Sequence, residues 1–171
     1  MRAVSDTFVT MPAKPPVYMD VRRSAASRVI MQLKPGGRLI GLSMGQFSLL
    51  DMIAAALDLT GPAHVMLSTW TAGIRDTRLA GVMLDAGRIL SLRLLVDRSF
   101  PNRQPHYCGA LVSLFGADCI RTTRTHAKVA LIFNDEWSIS IRSSMNLNRN
   151  PRIENYDVDD DESITFSERS V

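Results

Sequence analysis

Cysteines and long apolar runs are both scarce in this chain of 171 residues, and each shortage argues against a class of protein. Two cysteines, Cys108 and Cys119, are too few for a disulfide-stabilised secreted fold, so we interpret them as reduced thiols of a cytoplasmic protein. No Cys/His cluster has the spacing of a zinc site, and we expect no metal and no other cofactor. No run of about 18 apolar residues occurs, so we expect no membrane-spanning helix and no membrane partner.

The N-terminal stretch has the composition of an arm and not of a signal peptide. It contains Pro12, Pro15 and Pro16 and no long apolar segment, so we expect residues 1–17 to form a mobile arm. Residues 18–160 are then one domain of ordinary size, and residues 161–171 are a short acidic and polar tail.

Charge is distributed unevenly along the chain. Residues 155–171 contain six acidic residues and one arginine, which leaves residues 1–154 with a net charge of +8. A basic body favours a polyanionic partner such as nucleic acid. Because 17 of the 20 basic residues are arginine, an arginine-rich solvated surface is the simpler explanation of the charge taken alone.

Helical and strand patterns alternate through most of the chain. We predict helices at 18–33, from Ser48 to about 59, from Thr71 or Asp76 to about 87, and at 106–115. Strands are predicted at 38–43, 63–69, 89–97 and 117–122. Such alternation predicts an α/β fold with a mixed, largely parallel sheet flanked by helices on both faces, to which a hairpin at 126–142 adds an antiparallel element. Because ligands of open α/β sheets bind beyond the carboxyl ends of strands, the turns after 38–43 and 63–69 make Gln46 and Thr71 secondary candidates for substrate contact.

The stretch with the most chemical information is Thr125–Ile132. In an extended strand, the side chains of His126 and Lys128 point to the same side. In a core both would need partners, whereas in a cleft they suit a phosphate, with imidazole as nucleophile and ammonium as anion clamp. A second alternating strand at 137–141 precedes Ser144 and Asn146, which would supply neutral hydrogen-bond donors.

These residues, taken with Glu154, resemble the HKD motif of the phospholipase D superfamily. That motif is His-x-Lys with a downstream Asp, then Gly-Ser-x-Asn, then Glu. The resemblance implies that His126 is the nucleophile, forming a phosphohistidine. It also implies that Lys128 and Asn146 bind the phosphate, that Ser144 assists, and that Glu154 orients a histidine. It extends to the fold, a phospholipase D-like sheet.

The chain departs from the motif at two positions. Phe133 stands where the family has its Asp, with Asn134 and Asp135 directly after it, and Ser143 replaces the Gly. The motif also occurs once, so a site with two histidines needs two chains. The resemblance therefore implies a symmetric homodimer with the site at the two-fold interface.

Three functional interpretations follow. The first is a metal-independent phosphodiesterase, a nuclease, that hydrolyses nucleic acid, with DNA favoured over RNA. The second is a catalytically reduced phospholipase D-like protein that binds nucleic acid or serves an assembly role, and the third is a lipid phosphodiesterase. The third ranks last because the sequence offers no lipid-facing amphipathic surface. Four arginines are further candidates for phosphate contact, each equally explained as a solvated residue: Arg121, Arg124, Arg149 and Arg152.

Overall fold

The computed structural model describes residues 7–8, 22–147 and 151–161. Within these ranges, five α-helices and eight strands form a mixed α/β fold. The helices are α1 (Arg22–Ile30), α2 (Leu49–Thr60), α3 (Ile74–Asp85), α4 (Phe100–Arg103) and α5 (Pro105–Phe115). The strands are β1 (Thr7–Phe8), β2 (Arg38–Ser43), β3 (Ala63–Thr69), β4 (Ile89–Asp97), β5 (Ile120–Thr123), β6 (Val129–Phe133), β7 (Ser138–Ser143) and β8 (Glu154–Asp160). Among the helices described, none has the length and apolar character needed to cross a membrane.

All eight strands belong to one sheet, in the order β1-β2-β8-β7-β6-β3-β4-β5. Only β3–β4 and β4–β5 pair in parallel, and the other five pairings are antiparallel. The prediction of a largely parallel sheet is therefore wrong. The reason is that β6, β7 and β8 follow one another with no described helix between them, and strands connected in this way return antiparallel. They insert between β2 and β3, so α2 does not connect adjacent strands.

The helices of the described chain pack on one face of the sheet. Val65, Leu94 and Ile132 point to this face and belong to one hydrophobic cluster with residues of α1, α2, α3 and α5. The opposite face of the described sheet bears ion pairs, such as Arg38 with Asp157 at 2.5 Å. The described helices therefore do not flank both faces as expected, and the strands β2 and β8 alternate buried and exposed residues as in a sheet with one solvated face.

Helix α2 lies at the centre of the core, with every residue from Leu49 to Leu57 buried. Its first turn is closed by a cap at Ser48, the residue at which the sequence predicts the start of this helix. The Asp51 backbone N–H donates to Ser48 Oγ at 3.2 Å, and the Ser48 N–H donates to the Asp51 carboxylate at 2.9 Å. This reciprocal capping box fixes the entry of the chain into the helix. Gly61, with φ of +73°, ends it.

The remaining predictions differ from the structure at element ends. Residues 18–21 of the first predicted helix lie outside the described residues, as does most of the predicted arm at 1–17 and of the tail at 161–171. The described part of the arm, Thr7–Phe8, pairs with β2. The predicted strand 117–122 begins with a 3-10 turn at Ala117–Cys119. Helix α4 lies between the predicted strand 89–97 and the predicted helix 106–115, and Pro101 fits there because proline is tolerated in a first helical turn.

Candidate active site

One edge of the sheet collects the ends of most strands. Two strands, β6 and β8, run antiparallel to the group β2, β3, β4, β5 and β7. At this edge, the amino ends of β6 and β8 therefore lie beside the carboxyl ends of the other five strands. The register places Ser43 opposite Glu154, and Ser68 opposite Val129. The five residues predicted to be catalytic lie along this edge: His126, Lys128, Ser144, Asn146 and Glu154.

Lys128 lies against the imidazole of His126. Its Nζ is 2.9 Å from Nδ1 and 3.4 Å from Nε2, and it donates to the His126 backbone oxygen at 2.9 Å. Both residues precede β6, which begins at Val129, so a loop and not strand alternation brings their side chains together. Because an ammonium can only donate hydrogen bonds, the imidazole nitrogen at 2.9 Å accepts.

Lys128 is a buried cation, with 8% of its surface exposed. Burial lowers the pKa of its ammonium, and the nearby carboxylate of Glu154 partly offsets this by favouring the charged form. A buried ammonium is costly unless anions or hydrogen-bond acceptors surround it. The position of Lys128 therefore suits an incoming anion.

The hydroxyl of Ser144 connects the end of β7 to the start of β8. It donates to the buried carboxylate of Glu154 and accepts from the Asn155 backbone N–H at 3.0 Å. The Ser144 N–H in turn donates to the Asn155 carbonyl at 3.2 Å. These bonds fix Ser144 and Glu154 relative to each other at the edge that carries Lys128.

Asn146 has unused hydrogen-bonding capacity. Its Oδ1 atom is buried and, within the described ranges, has no hydrogen-bond partner. The residues on either side are anchored, since Met145 contacts Ser43 Oγ through its sulfur at 3.8 Å and the Leu147 carbonyl accepts from the Gly73 N–H at 2.5 Å. Buried polar atoms are normally paired, so a fixed but unpaired carboxamide oxygen at this edge is a candidate ligand contact.

The loop that carries His126 is held by the ends of β3 and β4. The Asp97 carboxylate accepts from the Ser99 N–H at 2.9 Å and the Thr125 N–H at 3.2 Å, and Ser68 Oγ donates to the Ala127 carbonyl at 3.2 Å. Hydrogen bonds from Ser99 and then Thr125 hold the pKa of Asp97 below its usual value. The strands therefore set the position of the imidazole.

Trp70 and Arg103 are two residues at this edge that sequence reasoning missed. The Trp70 and His126 ring centroids are 5.3 Å apart, and the Arg103 guanidinium carbon lies 3.9 Å from the centroid of the Trp70 ring. The available signal was the position of Trp70, one residue beyond the carboxyl end of β3. Its contact with Arg103 depends on where α4 packs, which the sequence pattern does not indicate.

The secondary candidates make mostly local contacts. Gln46 accepts from the Met44 N–H at 2.5 Å, and Thr71 donates to the Gln104 carboxamide oxygen at 2.6 Å. Arg121 donates to two carbonyls of its own segment, both at 3.0 Å. Arg124 and Arg152 are exposed and Arg149 lies outside the described residues.

The position of the family Asp lies at the other end of β6. Phe133 is separated from Lys128 by about 17 Å of extended chain and stacks on His64 with ring centroids 5.4 Å apart. Next to it, Asn134 donates to the Thr60 carbonyl at 3.0 Å and accepts from the Trp137 N–H at 2.9 Å. This end of the strand is a turn with satisfied polar groups, remote from His126.

The site thus joins an imidazole, a buried ammonium, a hydroxyl–carboxylate pair and an unpaired carboxamide oxygen. Together these groups offer a nucleophile and, in the Lys128 ammonium and the N–H groups of the Asn146 carboxamide, donors to a phosphate. No group of three or more His, Cys, Asp or Glu side chains in the described part of the chain could hold a metal ion. Comparison of the sequence with models of known protein families and with curated proteins finds no match.

Proposed function

We propose that this chain is a nuclease of the phospholipase D type, in which His126 attacks a phosphodiester of nucleic acid. The observation that carries the proposal is the contact of the buried Lys128 ammonium with His126 Nδ1, beside the Ser144–Glu154 pair. A nucleophile, a cation and neutral polar groups at one edge match the needs of phosphoryl transfer, which depends on positioning and charge stabilisation.

The resting contact indicates how a substrate activates the imidazole. While Lys128 donates to Nδ1, a neutral ring keeps its proton on Nε2, which then has no lone pair for attack. An entering phosphate gives the ammonium a stronger acceptor. Nδ1 is then free to carry the proton, and Nε2 becomes the nucleophile.

The reaction then proceeds in two displacements. Nε2 of His126 bonds to phosphorus as the bond to the leaving oxygen breaks, and a second imidazolium protonates that oxygen. Water next attacks the phosphohistidine, gives its proton to the second imidazole and releases His126. Lys128 and Asn146 stabilise the phosphoryl oxygens in both steps.

The second imidazole comes from a second chain in this proposal. The motif occurs once in the sequence, so a symmetric homodimer places two His126 side chains on either side of one phosphate. Light scattering tests this point, and a strict monomer at working concentration would contradict it.

Nucleic acid is the proposed substrate because the body of the chain is basic. A net charge of +8 on residues 1–154 favours a polyanion over a single lipid headgroup. DNA is favoured over RNA as the first substrate to assay.

The test is cleavage of single- and double-stranded DNA in excess chelator by wild type, His126→Ala and His64→Ala. His64 is the matched control, because it also contacts an aromatic ring but lies at the opposite end of β3 from Trp70. We expect wild type and His64→Ala to cleave and His126→Ala to be inactive while still binding DNA. Cleavage by His126→Ala at the wild-type rate would refute the assignment, and DNA binding without cleavage by wild type would favour the catalytically reduced alternative.

A further inference from the structure

Arg103 is an exposed cation that is held in place beside the proposed nucleophile. Its guanidinium lies over the Trp70 ring, whose other contact described here is with the His126 imidazole. Its Nε donates to Ser99 Oγ at 2.9 Å, and its Nη2 donates to the Trp70 carbonyl at 3.0 Å. Three contacts thus fix the plane of a side chain that is usually mobile at a surface.

The fixed guanidinium keeps most of its donors. Two of its five N–H groups are used by Ser99 and Trp70, and the other three have no hydrogen-bond partner among the residues described. Asp97 is the nearby carboxylate, but its oxygens already accept from Ser99 and Thr125. Arg103 is therefore oriented without being neutralised by a direct ion pair.

We propose that Arg103 binds a second phosphate of the substrate, next to the phosphate that His126 attacks. The guanidinium and the imidazole both contact the ring of Trp70, at 3.9 Å and 5.3 Å from its centroid, so one strand of a polynucleotide can place neighbouring phosphates on the two groups. This inference rests on the proposed nuclease function and deepens it, because it makes a chain of phosphodiesters, and not an isolated diester, the preferred substrate.

Two probes distinguish binding of a neighbouring phosphate from reaction at the phosphate that His126 attacks. A fluorescein-labelled oligothymidylate carries many phosphates and reports binding by anisotropy, while bis(4-nitrophenyl) phosphate carries one and reports cleavage. The variants are Arg103→Ala, Arg103→Lys and the control Arg93→Ala, which removes an exposed arginine of β4. Melting temperatures of all variants check the fold.

We expect Arg103→Ala to weaken oligothymidylate binding about tenfold, the effect of losing a charged hydrogen bond. The slope of log affinity against log salt should fall by about one, as for one lost phosphate contact. Arg103→Lys should be intermediate, because an ammonium keeps the charge but not the planar stack on Trp70. Arg93→Ala should bind oligothymidylate and cleave bis(4-nitrophenyl) phosphate like wild type, whereas Arg103→Ala should lose less of the single-phosphate reaction than of oligothymidylate binding.

Three results would overturn the inference. Wild type could fail to bind the oligonucleotide, Arg103→Ala could match Arg93→Ala in affinity and salt slope, or Arg103→Ala could lose the single-phosphate reaction as severely as binding. If wild type cleaves neither probe but the Arg103 variants still differ in binding, the nuclease proposal fails and the phosphate contact stands. Binding by His126→Ala should show the same dependence on Arg103.

Discussion

The two ends of β6 each have a histidine and an asparagine nearby, but the polar groups at the two ends differ in how fully they are hydrogen-bonded. At the amino end, His126 packs on Trp70 and accepts from the buried ammonium of Lys128, while the carboxamide oxygen of Asn146 has no described partner. At the carboxyl end, His64 stacks on Phe133 and lies 2.7 Å from Ser91 Oγ. There Asn134 donates to two carbonyls and accepts from two backbone N–H groups.

The difference between these ends separates structural from chemical roles. Polar groups at the Asn134 end are satisfied by neighbouring backbone, so that end contributes to stability. The Lys128 end keeps a cation and a carboxamide oxygen available to a ligand, at some cost in folding free energy. The family Asp would fall at Phe133, at the structural end, so its absence removes no group from the edge that holds His126.

The largest effect is expected from removing the charge of Lys128. Lys128→Met should lower the single-turnover rate about 10²- to 10³-fold, because a donor to the phosphoryl oxygens is lost. Stability should be unchanged or slightly raised, since burial disfavours the ammonium in the folded chain. Lys34→Met, at an exposed lysine, is the control. A lowered single-turnover rate in Lys34→Met, or a wild-type rate in Lys128→Met, would contradict the assignment of the chemistry to the Lys128 end of β6.

A pH profile tests the same cation without removing it. Because burial lowers the pKa of Lys128, its proton is lost at a lower pH than that of an exposed lysine. Activity should be present below this pKa and fall about tenfold per pH unit above it. Lys128→Arg should move the alkaline decline upward, since a guanidinium stays protonated. An identical decline in both proteins would assign the titration to another group.

A substitution at the opposite end of β6 should lower the free energy of unfolding without changing the reaction rate. Asn134→Ala removes the hydrogen bonds that close the turn, so the free energy of unfolding should fall by about 1–3 kcal/mol in urea. The rate should stay within about twofold of wild type. Asp135→Ala, at the exposed neighbour, should change neither quantity. A large loss of rate in Asn134→Ala would mean that this end also serves the reaction.

The smallest effect is expected from placing the Asp of the phospholipase D motif at position 133. Phe133→Asp should leave the rate within about twofold of wild type, because the position is about 17 Å along the strand from Lys128. A clear rise in rate would contradict the separation of the two ends and would indicate that the natural chain is a weakened enzyme.

The proximity of the candidate site residues was easier to predict from the local sequence than the order of the strands. Lys128, Ser144 and Glu154 lie at or next to the ends of consecutive strands, and the antiparallel pairing of β6 with β7 and of β7 with β8 brings them to one edge. The order of strands could not be predicted, because alternation of helices and strands does not say that β6, β7 and β8 insert between β2 and β3. Trp70 and Arg103 were missed since their contact spans 33 residues and depends on α4 packing.

The central claim is that His126 becomes bonded to phosphorus during turnover. The direct measurement is a rapid alkaline quench of wild type with labelled oligonucleotide, followed by mass analysis of the peptide that contains His126. The account predicts a nucleotide adduct on His126 that forms and decays within one turnover, and no adduct in His126→Ala. Turnover with no adduct on this peptide, or with an adduct on another residue, would contradict it.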